Sequence, residues 1–376
     1  MSVKNPFVIS GYVSPYYFCD REEEAKTLVR YLTNNRNTAL ISTRRMGKTG
    51  LIQHCFQIPE IRDSYHCFFI DIYASSNLRD LAFVLGKAVF ESLRPKERRF
   101  LDHFIAVIAS LRAAFKIDTI SGEPSFEIGL GEITEPLKTL EEIFLYLEQA
   151  DKPCIVAIDE FQQIAHFDEK NTEAVLRTII QRCTNTFFVF AGSQQHLMSN
   201  IFQSASRPFY QSVSILQLKQ IPFGKYKSFI EFHFEQNNRI VAPEIIDRIY
   251  VDFEGHTWYI QILFNELFSL TSNGESCDMS LYNIALSNII SSQAFTFQEI
   301  LARLPEKQKE VLIAIAKEGK ATAINSANFV RRHQLRSVSS IQAAIKYLLE
   351  KDLLTVENQV YSVYDRFFGL WLKDNF

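Results

Sequence analysis

The sequence predicts an α/β chain: a parallel sheet with helices on both faces, then an all-helical region, then three helices and a hairpin. Three observations carry this. Short apolar runs alternate with longer stretches of helical spacing through about residue 220, as strands buried on both faces do. From about Ile221 to Ser292 the strand runs stop and helical patterns take over. From about Phe295, helical patterns precede two strand-like runs. A chain of 376 residues has room for two or three cores, and these shifts divide it into 1–220, 221–292 and 293–376.

Along the chain, Arg21–Asn34 has the spacing of an amphipathic helix with Asp20 as its N-cap. Thr38–Ser42, Cys67–Tyr73, Cys154–Asp159, Phe187–Ala191 and Val213–Leu218 read as buried strands. Between the second and third, Leu81–Phe115 reads as helix and Pro124–Gly131 as a small hairpin or extended loop. Lys225–Glu235, Pro243–Phe253 and Trp258–Thr271 form a helical region, interrupted by the turn-rich Thr271–Asp278. Helices over Glu306–Lys317, Ser326–His333 and Ser337–Lys351 lead to strands Leu353–Val356 and Val360–Val363, joined by Glu357-Asn358-Gln359. That order describes a winged-helix module.

Composition narrows the function classes. Net charge is −3, so no global positive field draws the chain to nucleic acid or anionic membrane. Phe295–Phe376 carries 12 Lys+Arg against 9 Asp+Glu, a mild local excess of +3. The six cysteines (Cys19, Cys55, Cys67, Cys154, Cys183, Cys277) lack C-x-x-C spacing and read as small apolar residues in a reducing compartment. Met1–Ser10 has no signal-peptide pattern, and the most apolar helical run, Phe104–Phe115, is too short to span a bilayer, so a cytoplasmic protein with no membrane partner is expected. The 32 phenylalanines are spread along the chain as core residues.

The chemistry concentrates in two stretches. "STRRMGKTG" follows the first strand as Ser42, Thr43, Arg44, Arg45, Met46, Gly47, Lys48, Thr49 and Gly50. A phosphate loop needs a strand to deliver it, backbone N–H groups to wrap oxygens, a lysine for the outer phosphates and a helix N-terminus facing the anion. Thr49 offers its hydroxyl to Mg²⁺. Ser42 stands where glycine is usual, and the alternative is a basic turn before a helix. About 110 residues on, "PCIVAIDEFQQI" ends an apolar strand in Asp159 and Glu160, at the strand end where open parallel sheets bind ligands. Two acids there are costly unless a cation or water uses them; Asp159 is assigned to hydrated Mg²⁺ and Glu160 to the attacking water. The alternative is a solvated helix start. Ser193, closing "FFVFAGSQQ", is a candidate for positioning that water, and Arg207 a loop cation for stabilising phosphoryl transfer, in its own subunit or a neighbour's. Both have bland alternatives: a core-terminating loop, and an ordinary surface arginine.

In their joint order these segments resemble the bacterial and archaeal AAA+ ATPases of the STAND-like signal-transduction branch, themselves similar to origin-recognition initiators. "YFCDREEEAKTL" (Tyr17–Leu28) resembles the family's F-x-x-R-E-x-E opening segment, which implies Asp20 and Arg21 near the adenine. "STRRMGKTGL" is similar to its GPRRxGKTSL Walker A loop, "IDEFQQI" to its Walker B, "AGSQ" to its sensor strand, and "VYDRFFGLWL" (Val363–Leu372) to the motif closing its winged helix. The resemblance implies a 5-1-4-3-2 parallel sheet, a helical lid and a winged helix, with ATP between core and lid. Departures are Ser42 for glycine, "PFYQS" at Pro208–Ser212 for PLYGR, and "GHTWYIQ" from Gly255, with His256 and Thr257 and no sensor arginine.

The leading expectation is an Mg²⁺-dependent, slow ATPase acting as a nucleotide-controlled switch, binding ATP and ADP and sometimes assembling as a homo-oligomer or with a protein partner. The rival is a DNA-associated regulator reading through Ser337–Lys351, with Ser339, Gln342 and Lys346 on one face and Arg331, Arg332 and Arg336 beside it. A small-molecule kinase is disfavoured, since residues 221–292 hold only Arg239 and Arg248.

Overall fold

The apolar runs fold as the strands they predict. A computed structural model describes residues 5–93, 115–117, 124–126 and 133–376, of which 93, 115–117 and 124–126 by backbone alone. In chain order the first strands are β1 (Thr38–Ile41), β2 (His66–Asp71), the short antiparallel pair β3 (Phe115–Ile117) and β4 (Pro124–Phe126), then β5 (Cys154–Asp159), β6 (Thr186–Gly192) and β7 (Ser214–Gln217). The five long ones pair all-parallel in the order β2-β5-β6-β1-β7. Read from the other edge, this is the expected 5-1-4-3-2 order.

Period-two alternation divides the strands between two cores. Ala39 and Ile41, Val156 and Ile158, and Phe188 and Phe190 face one cluster, packed against α4 (Leu78–Leu93), α5 (Pro136–Glu148), α6 (Thr172–Gln181) and α7 (Gln195–Gln203). Leu40, Ile155 and Ala157, and Phe187, Val189 and Ala191 face the other, against α1 (Glu22–Thr33), α2 (Lys48–Gln57) and α3 (Pro59–Arg62). With both faces covered, β1, β5 and β6 are buried at every position, so their sequences are apolar runs and not alternations. Phe161, Phe190, Phe202 and Phe209 interlock with ring centroids 4.4–5.7 Å apart. Burying each is worth about 1.5–3 kcal/mol, which accounts for part of the phenylalanine load.

The chain forms two compact units, one of Val8–Phe229 with Gly255–Tyr259 and the other of Met1–Phe7, Ile230–Glu254 and Ile260–Phe376. The helices from residue 223 on are α8 (Phe223–Glu235), α9 (Pro243–Asp252), α10 (Thr257–Leu270) and α11 (Met279–Ala302), with a two-residue parallel pairing of β8 (Ile240–Val241) and β9 (Ser276–Cys277). α11 runs unbroken through Ser292 and Gln293. In the second unit Phe7 packs on Phe234, Phe264 and Phe268. There too lie α12 (Glu306–Glu318), α13 (Ala327–Arg332), α14 (Val338–Glu350), β10 (Leu354–Glu357), β11 (Val360–Val363) and α15 (Arg366–Asn375). Asn358 and Gln359 both take positive φ, 49° and 64°, and form the tight connection between β10 and β11. This is the expected winged helix. Among the described residues no helix is long and apolar enough to cross a membrane.

Some local expectations are corrected. Asp20 does not cap α1: the cap position is Arg21, left-handed at φ 67°, and its side chain makes no capping hydrogen bond. Glu22, Glu23 and Glu24 meet the helix dipole instead. Of the helix expected over Leu81–Phe115, Leu78–Leu93 is helical, 94–114 lie outside the described residues, and Phe115 is in β3. Of Pro124–Gly131, Pro124–Phe126 is strand and 127–131 lie outside the described residues.

Candidate functional site

β1 delivers the loop at the carboxyl edge of the sheet. Ser42 N–H donates to Gly192 O at 3.3 Å, continuing the pairing with β6. Ser42 is fully buried, its hydroxyl donates to Thr43 O at 2.7 Å, and its φ is not positive, so the freedom of a glycine is not required there. The left-handed positions are Arg45 (φ 67°) and Gly47 (φ 90°). At Gly47 an added Cβ would meet nothing closer than Thr257 Cγ2 at 3.9 Å, so backbone conformation, not space, demands the glycine. Gly47 is also the cap residue of α2 and offers no side chain to its first turn. The leading N–H groups of α2 therefore keep their donors for another acceptor.

Lys48 opens that helix with 6% exposure. Among the described residues its only hydrogen-bond partner is Ser42 Oγ at 3.4 Å. Burial pushes its ammonium below the ordinary lysine range, with the charges of Glu160 and Asp159 pulling the other way. A buried cation with one neutral contact is a cost that a bound anion removes. Thr49 Oγ1 donates to Asp159 Oδ2 at 2.7 Å across 110 positions of sequence. Asp159 is itself 6% exposed, and burial pushes its carboxyl up, against the Thr49 hydrogen bond and the Lys48 charge. A hydroxyl beside a carboxylate is an oxygen donor pair that suits Mg²⁺. Among the described residues no group of three or more His, Cys, Asp and Glu could hold a metal, so further ligands would come from phosphate and water.

Glu160 follows β5 in the left-handed region, φ 55° and ψ 39°, and turns the chain into the 3₁₀ segment Phe161–His166. Its Oε2 accepts from Ser193 Oγ at 2.7 Å and from Gln162 Nε2. Lys48 and Thr49 at the start of α2, Asp159 and Glu160 at the end of β5, and Ser193 just after β6 are thus brought together. Arg207 is not among them: its Nη2 pairs with Glu173 Oε1 at 3.1 Å. Burial nonetheless holds the Glu173 carboxyl above its usual range, outweighing that pair.

The remaining loop residues have structural partners. Met46 packs its side chain in the core on the α1–α2 face, leaving its backbone for the loop. Arg44 lies over Tyr73, 5.6 Å from the ring centre, and at Gly50 an added Cβ would stand 3.3 Å from Phe18. Arg21, 2% exposed, donates to Met46 O at 3.0 Å, to Lys219 O and to Glu24, which makes it a brace under the loop. Asp20 lies 3.8 Å from Lys225. Arg21→Ala would remove three hydrogen bonds from a buried side chain; it is expected to cost about 2–4 kcal/mol, read as a fall in Tm of the nucleotide-free protein, and an unchanged Tm would refute the brace.

Two groups carry no functional signal in the sequence. Gln162 follows the acid pair within "IDEFQQI", and spacing gives it no role. The segment from Gly255 lacks a sensor arginine but holds the loop: Trp258 N–H donates to Arg45 O at 3.0 Å and Thr257 Oγ1 to Met46 O at 3.4 Å. The Arg45 guanidinium lies 4.2 Å from the Trp258 ring centre and 4.9 Å from that of Tyr259, whose hydroxyl it also meets. A run of aromatics in helical spacing carries no sign of this. On the winged helix, Ser339, Gln342 and Lys346 are exposed on α14 while Ile341, Ile345 and Leu348 are buried. Arg332 is held by Glu318 at 2.6 Å, and Lys346 lies 4.0 Å from Glu350.

Comparison with known proteins agrees with this architecture. Residues 18–263 match the family described as an ATPase domain predominantly from Archaea, and residues 295–374 match a probable winged helix domain. No curated protein matches the sequence. Among solved structures, a Walker-type ATPase of Pyrococcus abyssi is 18% identical with a TM-score of 0.66, over 98% of this chain and 99% of that one. The Aeropyrum pernix ORC2 protein, solved as ADPNP-ADP complexes, is 15% identical with a TM-score of 0.56, over 100% and 97%. The Aeropyrum pernix ORC1 protein, solved in complex with DNA, is 13% identical with a TM-score of 0.53, over 96% and 94%. At these identities the structures establish the fold alone. The family match spans well over half of the sequence, and the chain belongs to the ATPase-domain family found predominantly in Archaea.

Proposed function

We propose that the protein binds ATP with Mg²⁺ and hydrolyses it slowly, as a nucleotide-controlled switch. The observation that carries this is Lys48, buried with one neutral partner at the uncapped start of α2, beside the Thr49–Asp159 pair. Backbone N–H groups of the loop and of the first turn of α2 take phosphate oxygens, and Lys48 neutralises the outer ones. Thr49 and Asp159 would hold Mg²⁺, which when bound supplies charge stabilisation to the phosphates. Glu160 takes the proton of the attacking water, with Ser193 fixing its carboxylate.

Two features favour slow turnover. Arg207 is held by Glu173 and Arg45 by Trp258 and Tyr259, so neither arginine is placed to stabilise transferred charge as a finger does. Loss of the γ-phosphate would then act on a loop already tied at Arg45 and Met46, the kind of contact through which nucleotide state is passed on. On the winged helix, Arg332 is engaged with Glu318, which takes one of the candidate cations away from DNA recognition.

Titration with a fluorescent ATP analogue, with and without millimolar Mg²⁺, tests the binding, and phosphate release tests the turnover. Mg²⁺-dependent binding with a kcat below about 1 s⁻¹ is expected. No binding at any concentration ends the proposal; turnover at the rate of an ordinary metabolic enzyme ends its switch component.

A further inference from the structure

The turn at Glu160 brings a side chain two positions on back against its own carboxylate. Gln162 is 3% exposed, and its Nε2 donates to Glu160 Oε2, the same oxygen that accepts from Ser193. The amide orientation is assigned by chemistry, since its carbonyl facing a carboxylate would be repelled. That leaves Gln162 Oε1 pointing the other way, buried and, among the described residues, with no hydrogen-bond partner. It abuts Gly192, where an added Cβ would stand 2.6 Å from Gln162 Oε1 and would also collide with Met198. A buried carbonyl without a partner is unfavourable, and a leucine of similar size would remove it. The chain keeps the polar residue where its other end touches Glu160.

We propose that Gln162 is a positioning residue for ATP hydrolysis: its amide and the Ser193 hydroxyl clamp Glu160 Oε2, so that Oε1 is the oxygen turned to take a proton from water, and Gly192 makes room for the clamp. The amide neither touches nucleotide nor transfers a proton; it restricts the carboxylate to one orientation. This rests on the ATPase reading above.

The test is Gln162→Leu in the full chain. Expected are an ATP affinity within about twofold of wild type and a kcat lower by roughly tenfold to a hundredfold, with a Tm no lower than wild type. Because the effect runs through Glu160, adding Gln162→Leu to Glu160→Gln costs no further activity. Gly192→Ala, which displaces the amide from the other side, lowers kcat in the same direction with ATP still bound. In the nucleotide-free protein the Gln162 side-chain amide protons exchange slowly by NMR, and Glu160→Ala abolishes that protection. An unchanged or raised kcat in Gln162→Leu overturns the role, as does a loss that adds in full to that of Glu160→Gln. A wild type that hydrolyses no ATP sinks the ATPase reading itself; hydrolysis that is indifferent to Gln162→Leu sinks only the role of Gln162.

Discussion

Lys48→Met is expected to weaken ATP affinity by about 3 kcal/mol, roughly a hundredfold, without lowering the stability of the nucleotide-free protein. Both effects follow from burial. Among the described residues the ammonium has one hydrogen-bond partner, neutral and at 3.4 Å, and although Asp159 and Glu160 pull towards its charged form, desolvation outweighs them, so a bound anion adds the missing compensation. Its pKa in the folded chain is depressed below the ordinary lysine value of 10.5, mainly by desolvation. The folded state then binds fewer protons than the unfolded one across the interval between the depressed value and 10.5, so this group's contribution to stability rises with pH there. Melting curves of nucleotide-free wild type and Lys48→Met taken at rising pH below 10.5 isolate it: the difference shifts in favour of wild type as pH rises. ATP affinity shifts the other way, falling as Lys48 loses its proton. A variant that binds ATP as tightly as wild type would show that the anion lies elsewhere.

Glu160→Gln is expected to lower kcat about a hundredfold or more while ATP still binds. The substitution keeps the shape of the side chain and an oxygen for Ser193 and Gln162, but removes the carboxylate that would accept a proton. Neighbouring Asp159 keeps its hydrogen bonds from Thr49 and from the backbone N–H of residue 160, so the metal-binding pair is spared. Single-turnover phosphate release and equilibrium ATP binding separate the two effects. Equal release rates in wild type and variant would remove Glu160 from the chemistry.

Much of this could be read along the chain because its signals are local. Runs such as Cys154–Asp159 and Thr186–Gly192 are apolar throughout because both sheet faces are covered, and that requirement is written into consecutive residues. The loop from Ser42 to Thr49 and the acids after β5 are spaced as their chemistry needs, and the Thr49–Asp159 hydrogen bond brings them together. That Ser42 can stand where glycine is usual is not legible, because sequence does not show φ; the left-handed turns fall at Arg45 and Gly47.

The order of strands and helices, the phosphate-loop candidates and the winged helix are all legible in consecutive residues. Their partners are set by the packed chain. Arg21 lies under Met46, Arg45 lies against Trp258 and Tyr259, Gln162 turns back on Glu160, and Arg207 is drawn to Glu173. Each of these depends on a direction in space: a side chain leaving a left-handed residue, or two segments tens or hundreds of positions apart meeting at one carbonyl. Periodicity and spacing record which residues share a face or a loop, but a hydrogen bond across the fold needs distance and angle, and these exist only once the chain has packed.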